Sequence, residues 1–252
     1  MGLFDLPRVP EPEVMDDSSE VEAYSSAAAQ AFLDKIDDTF VEHALTLVRG
    51  RERGRALDIG TGPGQIVLKL AKRLKLWKFT GIDRSGSMIA QGQKSLAALP
   101  EVAGRVEFHT ADGNHLAFPD ASFDLVMCNS VLHHLAEPAN LLAEMSRVAK
   151  PGGGILLRDL RRPGRFAYPV HVRWHGRHYS GEMYRLYCDS VRAAYTLHEL
   201  HAMLAASPMK AARVFTHHAT HLGIERASSV SVAQSGAGQV GDQQARAQIA
   251  SL

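Results

Sequence analysis

Apolar residues recur along this chain in two rhythms. From Ala27 to Val48, residues Ala31, Phe32, Ile36, Phe40, Val41, Ala44, Leu45 and Val48 fall three and four apart, the spacing that gathers them on one face of a helix. Past the break at Gly50–Gly54, short apolar runs alternate with helical stretches. The run Ala56, Leu57, Ile59 predicts a buried strand, and Ile66, Val67, Leu70, Ala71 and Leu74 predict the helix behind it. A second strand is expected over Lys78–Ile82, with a helix through Met88, Ile89 and Leu96; third and fourth strands are expected over Val106–Thr110 and Phe123–Cys128. A helix from Pro138 to Ala149 is predicted to stop at Lys150-Pro151-Gly152-Gly153, ahead of a fifth strand over Ile155–Arg158. Strands alternating with helices predict an α/β fold, doubly wound, with a parallel sheet covered on both faces.

Residues 161–195 leave this rhythm and are rich in arginine, histidine and tyrosine, so an insertion with one or two helices, a lid, is expected there. Tyr195–Ala206 predicts a further helix, opened by Thr196 with Glu199 at the capping-box spacing. Ala212–Thr216 and Thr220–Glu225 are the last expected strands. The organisation read from these patterns is an N-terminal arm and helix over 1–50, itself a candidate lid, one domain over 51–227, and a flexible tail of Ser, Ala, Gln and Gly over 228–252.

Composition narrows the picture. A chain of 252 residues with 45% apolar and 22% charged residues suits an ordinary globular domain. Its formal net charge of +1 supplies no field that would draw it to nucleic acid or an anionic membrane. Every apolar run stops well short of the ~20 residues of a spanning helix. No basic stretch followed by an apolar core marks the first residues as a secretory signal. The two cysteines suit a reducing compartment, and Cys128, inside a strand pattern, reads as a buried inert thiol. The expected location is the cytoplasm.

The chemistry centres on Asp58-Ile59-Gly60-Thr61-Gly62-Pro63-Gly64, where a strand turns into a helix. Glycines at such a turn let backbone approach a ligand beyond the carboxyl ends of the strands. A dinucleotide fingerprint starting at Gly60 would need a third glycine where Gln65 stands, and Asp58 would set a negative charge beside a pyrophosphate. S-adenosylmethionine carries no phosphate and has a sulfonium and an ammonium, so this acid suits it better. Asp83, ending the second strand, stands at the spacing of an acid that accepts from ribose hydroxyls; the alternative is a helix cap, a task Ser85 can also fill. Asp112-Gly113, after the third strand, reads as an acceptor for an adenine amino group or as a simple Asp-Gly turn.

In these residues the chain resembles the class I, Rossmann-like S-adenosylmethionine-dependent methyltransferases, and among them the small-molecule group that includes the ubiquinone and menaquinone C-methyltransferases. Asp58 to Gly64 is similar to the first motif of that family. Gly81-Ile82-Asp83-Arg84-Ser85 with Met88 resembles the second, and Asp112-Gly113 with Leu116 to Asp124 the third. Asn129-Ser130-Val131-Leu132-His133-His134-Leu135 resembles the segment after the fourth strand, and Arg147 to Gly153 the turn before the fifth. The resemblance implies a seven-stranded, mostly parallel sheet with an antiparallel last strand. It also implies S-adenosyl-L-methionine as cofactor, held by Asp58, Gly60, Thr61, Gly62, Gly64, Asp83, Arg84, Met88, Asp112, Gly113, Asn129 and Ser130.

Methyl transfer from a sulfonium is an in-line displacement with a neutral leaving group, so alignment supplies most of the acceleration. His133 and His134 read either as acceptor contacts, one of them a base, or as parts of the loop fold. Asp159 reads as a site acid or as a partner of Arg161 or Arg162. Arg161, Arg162, Tyr184 and Tyr187 read as a lid over the acceptor or as solvated surface, and Tyr24 as a residue of an arm folding over the cofactor. No metal is expected, because the histidines of 171–178 lack completing ligands. The expected partner is a small-molecule methyl acceptor. Two other readings remain: a protein that binds S-adenosylmethionine without transferring methyl, and a protein or RNA methyltransferase. Against the last stand the near-neutral charge and Asn129-Ser130-Val131-Leu132, where some nucleic-acid enzymes carry Asn/Asp-Pro-Pro-Tyr/Phe.

Overall fold

A computed structural model describes residues 5–11, 27–209 and 211–228; Tyr24 and residues 229–252 lie outside the described residues. The described elements begin with helix α1 (Ala27–Leu47), then β1 (Arg53–Ile59), α2 (Gln65–Arg73), β2 (Leu76–Asp83), α3 (Gly86–Ala97), the single turn α4 (Pro100–Ala103) and β3 (Val106–Thr110). It continues through β4 (Phe123–Asn129), a 3₁₀ turn Leu132–His134, α5 (Ala139–Val148), β5 (Ala149–Leu160), α6 (Tyr168–His175), a 3₁₀ turn Gly176–His178, α7 (Gly181–Ala193), α8 (Leu197–Ala206), β6 (Arg213–His217) and β7 (His221–Arg226).

The sheet has seven strands in the order β3-β2-β1-β4-β5-β7-β6. The first five are parallel, and β7 runs antiparallel to both β5 and β6. Because the chain winds outward in both directions from β1 and β4, a crevice opens at the carboxyl ends of those two strands.

Strand alternation assigns two apolar layers. Leu57, Val126, Cys128, Ile155 and Leu157 face α5 and α8, packing with Leu141, Met145 and Leu200. Ala56, Leu125, Met127 and Leu156 face the other way, toward Phe40, Val41 and Ala44 of α1 and Val67 and Leu70 of α2. Helix α1 therefore completes the core, with Phe40 and Ala44 fully buried. Ser228 is buried too, its Oγ donating to Gly152 O at 3.0 Å, so packing continues one residue past the expected end. The insertion forms α6 and α7, and α8 carries the expected capping box between Thr196 and Glu199.

Two boundaries differ for reasons of strand pairing. Lys150–Gly153, expected as a stop, lies inside β5, at a register shift between the Phe123–Ala149 and Leu125–Gly154 pairs. A bulge accommodates Pro151, which has no N–H for a ladder, and the strand continues beyond it. Tyr195 likewise pairs with Arg161 as a bridge instead of entering α8.

Candidate functional site

The crevice is a cavity of about 470 Å³, in the range of pockets that hold small molecules and cofactors. Its floor is the loop after β1. Gly60 N and Thr61 N both donate to Ile82 O, at 2.8 and 2.9 Å, tying the loop to β2. Gly60 sits at φ +70°, where a Cβ would stand 2.1 Å from Val131 Cγ2, so a side chain is excluded twice over. A Cβ on Gly62 would meet nothing within 4 Å, because that residue borders the open crevice.

Two acids frame the loop. Asp83 accepts from Gly62 N through Oδ2 at 2.8 Å and from Ser85 N through Oδ1 at 2.9 Å, bracing the loops after β1 and β2 against each other. Asp83 also borders the crevice, within reach of a ligand there. Asp58 is buried; Oδ2 accepts from Thr61 Oγ1 at 2.8 Å, while Oδ1 has no hydrogen-bond partner. Burial pushes its carboxyl up to about 7, against the Thr61 bond and with help from Asp37 and Asp83. Across the crevice Asp112 Oδ1 accepts from Asn114 N at 2.9 Å, an Asx turn that presents Asp112 and Gly113 to the cavity. Ser130, at the end of β4, lines the cavity with φ +57°, an uncommon conformation for a residue with a Cβ.

The far end has a different character. Tyr179, Met183, Leu186 and Tyr187 from the insertion, with Leu135 and Leu160, give it an apolar wall, and His133, His134, His175, His217, His218 and His221 add imidazoles. His133 is buried, and its Nδ1 stands 2.6 Å from Asp159 Oδ1 while its N–H donates to Asp159 Oδ2 at 3.0 Å. Burial opposes the imidazolium, but the Asp159 charge and hydrogen bond, with Glu11 beyond, outweigh it and raise the His133 pKa. The same pair holds Asp159 below the usual carboxylate range despite its burial. His221 goes the other way: burial and then Arg158 push it down to about 3, so it is neutral.

The segment 5–11 closes this end. Arg8 donates to Ala193 O at 2.6 Å and to His133 O and Leu135 O, both at 2.8 Å, with its guanidinium 4.2 Å from the Tyr195 ring centroid. Glu11 lies beside His133 and His134, at 3.6 Å from each.

Residues 57–157 match the methyltransferase domain family. A ubiquinone/menaquinone biosynthesis C-methyltransferase, UbiE, of Geotalea daltonii is 33% identical over 138 residues, which cover 54% of this chain and 58% of that protein. Over this stretch the chain is therefore similar to S-adenosylmethionine-dependent methyltransferases. It spans about half the length of the curated relatives it matches. A SAM dependent methyltransferase from Aquifex aeolicus superposes with a TM-score of 0.61 at 20% identity, covering 84% of this chain and 98% of that one. The plantazolicin methyltransferase BpumL, solved with a monoazolic desmethylPZN analog and SAH, gives 0.65 at 17% identity, covering 83% and 90%. At those identities the superpositions speak for the fold.

The cofactor of such a methyltransferase domain is S-adenosylmethionine, and the residues present fit it: a bare-backbone cradle at Gly60 and Gly62, and an orphaned buried oxygen on Asp58 for a cation to offset. Gly60, Thr61, Gly62, Asp83, Arg84, Met88, Asp112, Gly113, Asn129 and Ser130 all line the crevice. Gly64 does not; it caps α2 at φ +81°, closed off by Phe108. Asp58 stands behind the loop, out of the lining. Of the catalytic candidates His133 and His134 line the cavity and Asp159 reaches it only through His133, so its partner is neither Arg161 nor Arg162.

Among the described lid candidates only Tyr187 lines the cavity. Arg162 is buried elsewhere, donating to Ala194 O at 2.9 Å and Glu199 Oε1 at 2.6 Å, so its charge serves the junction of α7 and α8. Tyr184 packs over Gly176, and Arg161 is held in backbone pairing with Thr220 and Tyr195. Sequence reasoning missed Glu11, Asp37, Met183 and the His217–His221 turn, which carry no motif; it weighed Tyr179 only as one aromatic of the insertion and His175 only as a metal ligand. No helix of the described residues is long and apolar enough to cross a membrane.

Proposed function

We propose that this chain transfers the methyl group of S-adenosylmethionine to a small-molecule acceptor. One observation carries the reading: a single cavity runs from the glycine loop and Asp83 to an apolar, histidine-lined chamber roofed by the insertion. Sugar and amino-acid groups fit the first half, and a compact, largely apolar acceptor fits the second.

The cofactor supplies an electrophilic methyl. The chain's own part is alignment and exclusion of water. Asp83 grips the ribose, the loop backbone meets the amino-acid end, and Asp112 takes the adenine side. In-line placement of acceptor, methyl and sulfur is worth up to roughly 7–11 kcal/mol in well-oriented systems. Tyr179, Met183, Leu186 and Tyr187 act as the lid that keeps the acceptor dry, a narrower lid than the arginine-rich one expected from sequence. His133 and His134 face the acceptor, and Asp159 is a positioning residue that holds the His133 ring. The names of the similar proteins, ubiquinone/menaquinone C-methyltransferases among them, favour a small organic acceptor over a macromolecule.

The test is incubation with S-adenosylmethionine carrying a labelled methyl and a cell extract separated into small-molecule, protein and RNA fractions. Label in the small-molecule fraction, with stoichiometric S-adenosylhomocysteine, is expected. Label in protein or RNA, or cofactor recovered intact throughout, contradicts the reading.

A further inference from the structure

Beside the acceptor end of the cavity, which His133 and His134 line, lies a set of side chains whose mutual contacts leave one of them incomplete. Among the described residues, Glu11, His133 and His134 bring one ligand atom each to within 4.8 Å of the others. Glu11 Oε2 lies 3.6 Å from His133 Nε2 and 3.6 Å from His134 Nδ1, and it is buried without a hydrogen-bond partner. A carboxylate oxygen withdrawn from water and left unmatched is costly unless a cation or a donor meets it. The Glu11 Oε1 atom accepts from Ser190 Oγ at 3.1 Å, which fixes the direction of the carboxylate.

The histidine side is built in a matching way. Asp159 Oδ1 holds His133 Nδ1 at 2.6 Å, so Nε2 is the nitrogen turned toward Glu11, and on losing its proton it offers a lone pair to a cation there. An imidazole backed by a carboxylate on its other nitrogen is the usual support of a metal-binding histidine. Nitrogen and oxygen ligands at about 2.0–2.2 Å from a zinc-type ion stand roughly 3–3.5 Å from one another. The observed separations therefore need only small side-chain rotations to close.

We infer that Glu11, His133 and His134 bind one divalent transition-metal cation of the zinc class, with Asp159 as the support of His133. Two neutral imidazoles and one carboxylate form a ligand set that suits such ions and leaves positions open. His133 and His134 both border the cavity, so the open position faces the chamber. An acceptor hydroxyl bound there loses its proton to solvent. The oxygen's electron pair then forms the bond to the methyl carbon as the carbon–sulfur bond breaks, and that bond's pair stays on sulfur. Only this use of the cation rests on the methyl-transfer reading; the cation site itself stands on the three side chains.

The experiment is titration of the metal-stripped full chain, without cofactor, with Zn²⁺ by calorimetry and with Co²⁺ by visible absorption. One equivalent is expected to bind, and Co²⁺ is expected to show the ligand-field bands of a low-coordinate nitrogen and oxygen site. Glu11→Gln and His134→Ala should each weaken Zn²⁺ by more than about tenfold, and Asp159→Asn by about 10- to 100-fold. Melting curves and S-adenosylhomocysteine titrations on the same variants report folding, and Glu11→Gln should keep the parent affinity for that ligand. Absence of stoichiometric metal binding, or binding unchanged in the folded Glu11→Gln/His134→Ala double variant, overturns the site. Metal binding without S-adenosylhomocysteine binding would remove the cofactor reading and leave the cation site; the reverse would remove the cation site alone.

Discussion

Asp83 holds two loops with both oxygens and borders the crevice, so its removal takes away a proposed ligand contact and loosens the cradle together. Asp83→Ala is expected to weaken S-adenosylhomocysteine by about 1.5–3 kcal/mol, roughly 10- to 150-fold. Calorimetry finding parent affinity would contradict the ribose role. Asp58 makes a second, pH-linked prediction. Its carboxyl is raised from the ordinary 3.8 to about 7, so between those values the folded chain holds a proton that the unfolded chain has released. Stability from this group is fully present below the lower value and is lost as pH rises through the upper one. A bound ammonium favours the ionised form, so binding below about pH 7 should release close to one proton. Calorimetry near pH 6 in buffers of different ionisation heat would show it; a buffer-independent heat would count against the pairing. These two acids were legible because strand, acid and glycine follow one another in sequence. Arg162 was misread because a run of arginines does not say which of them is buried against Ala194 O and Glu199.

At the scale of elements, local chemistry told most where it was self-contained. The α8 start needed only Thr196 and Glu199, three apart, and both arms of the capping box form. Thr196→Ala should cost about 1 kcal/mol, which is about 2–4 °C in melting temperature for a domain of this size. The S-adenosylhomocysteine affinity should not change, since α8 packs on the side of the sheet away from the glycine loop's helix; a shared loss in both would show coupling that the packing does not contain. The β5 boundary escaped because Pro151 and its glycines signal a break in any local reading, and only pairing with β4 shows the bulge that carries the strand through. The segment 5–11 escaped for a similar reason: its order comes from Arg8 reaching three distant carbonyls. Arg8→Ala should therefore raise hydrogen exchange and protease cutting in that segment while leaving the sheet's protection intact.

Across the described residues the core lies in two layers, with the glycine-loop cavity at the sheet's switch point. The alternation of strands and helices made that plan readable, and the resemblance added the antiparallel last strand. The composition of the acceptor chamber was not readable, because Glu11, Asp37, Tyr179 and the His217–His221 turn meet only after α1, the insertion and β7 have packed on the sheet. The central claim is that this crevice is a nucleoside-sulfonium site, and calorimetric titration of the purified chain with S-adenosylhomocysteine tests it most directly. The account predicts one saturable site per chain, with NADH giving no heat under the same conditions. A flat titration with S-adenosylhomocysteine, or saturation by the pyrophosphate-bearing nucleotide instead, would contradict it.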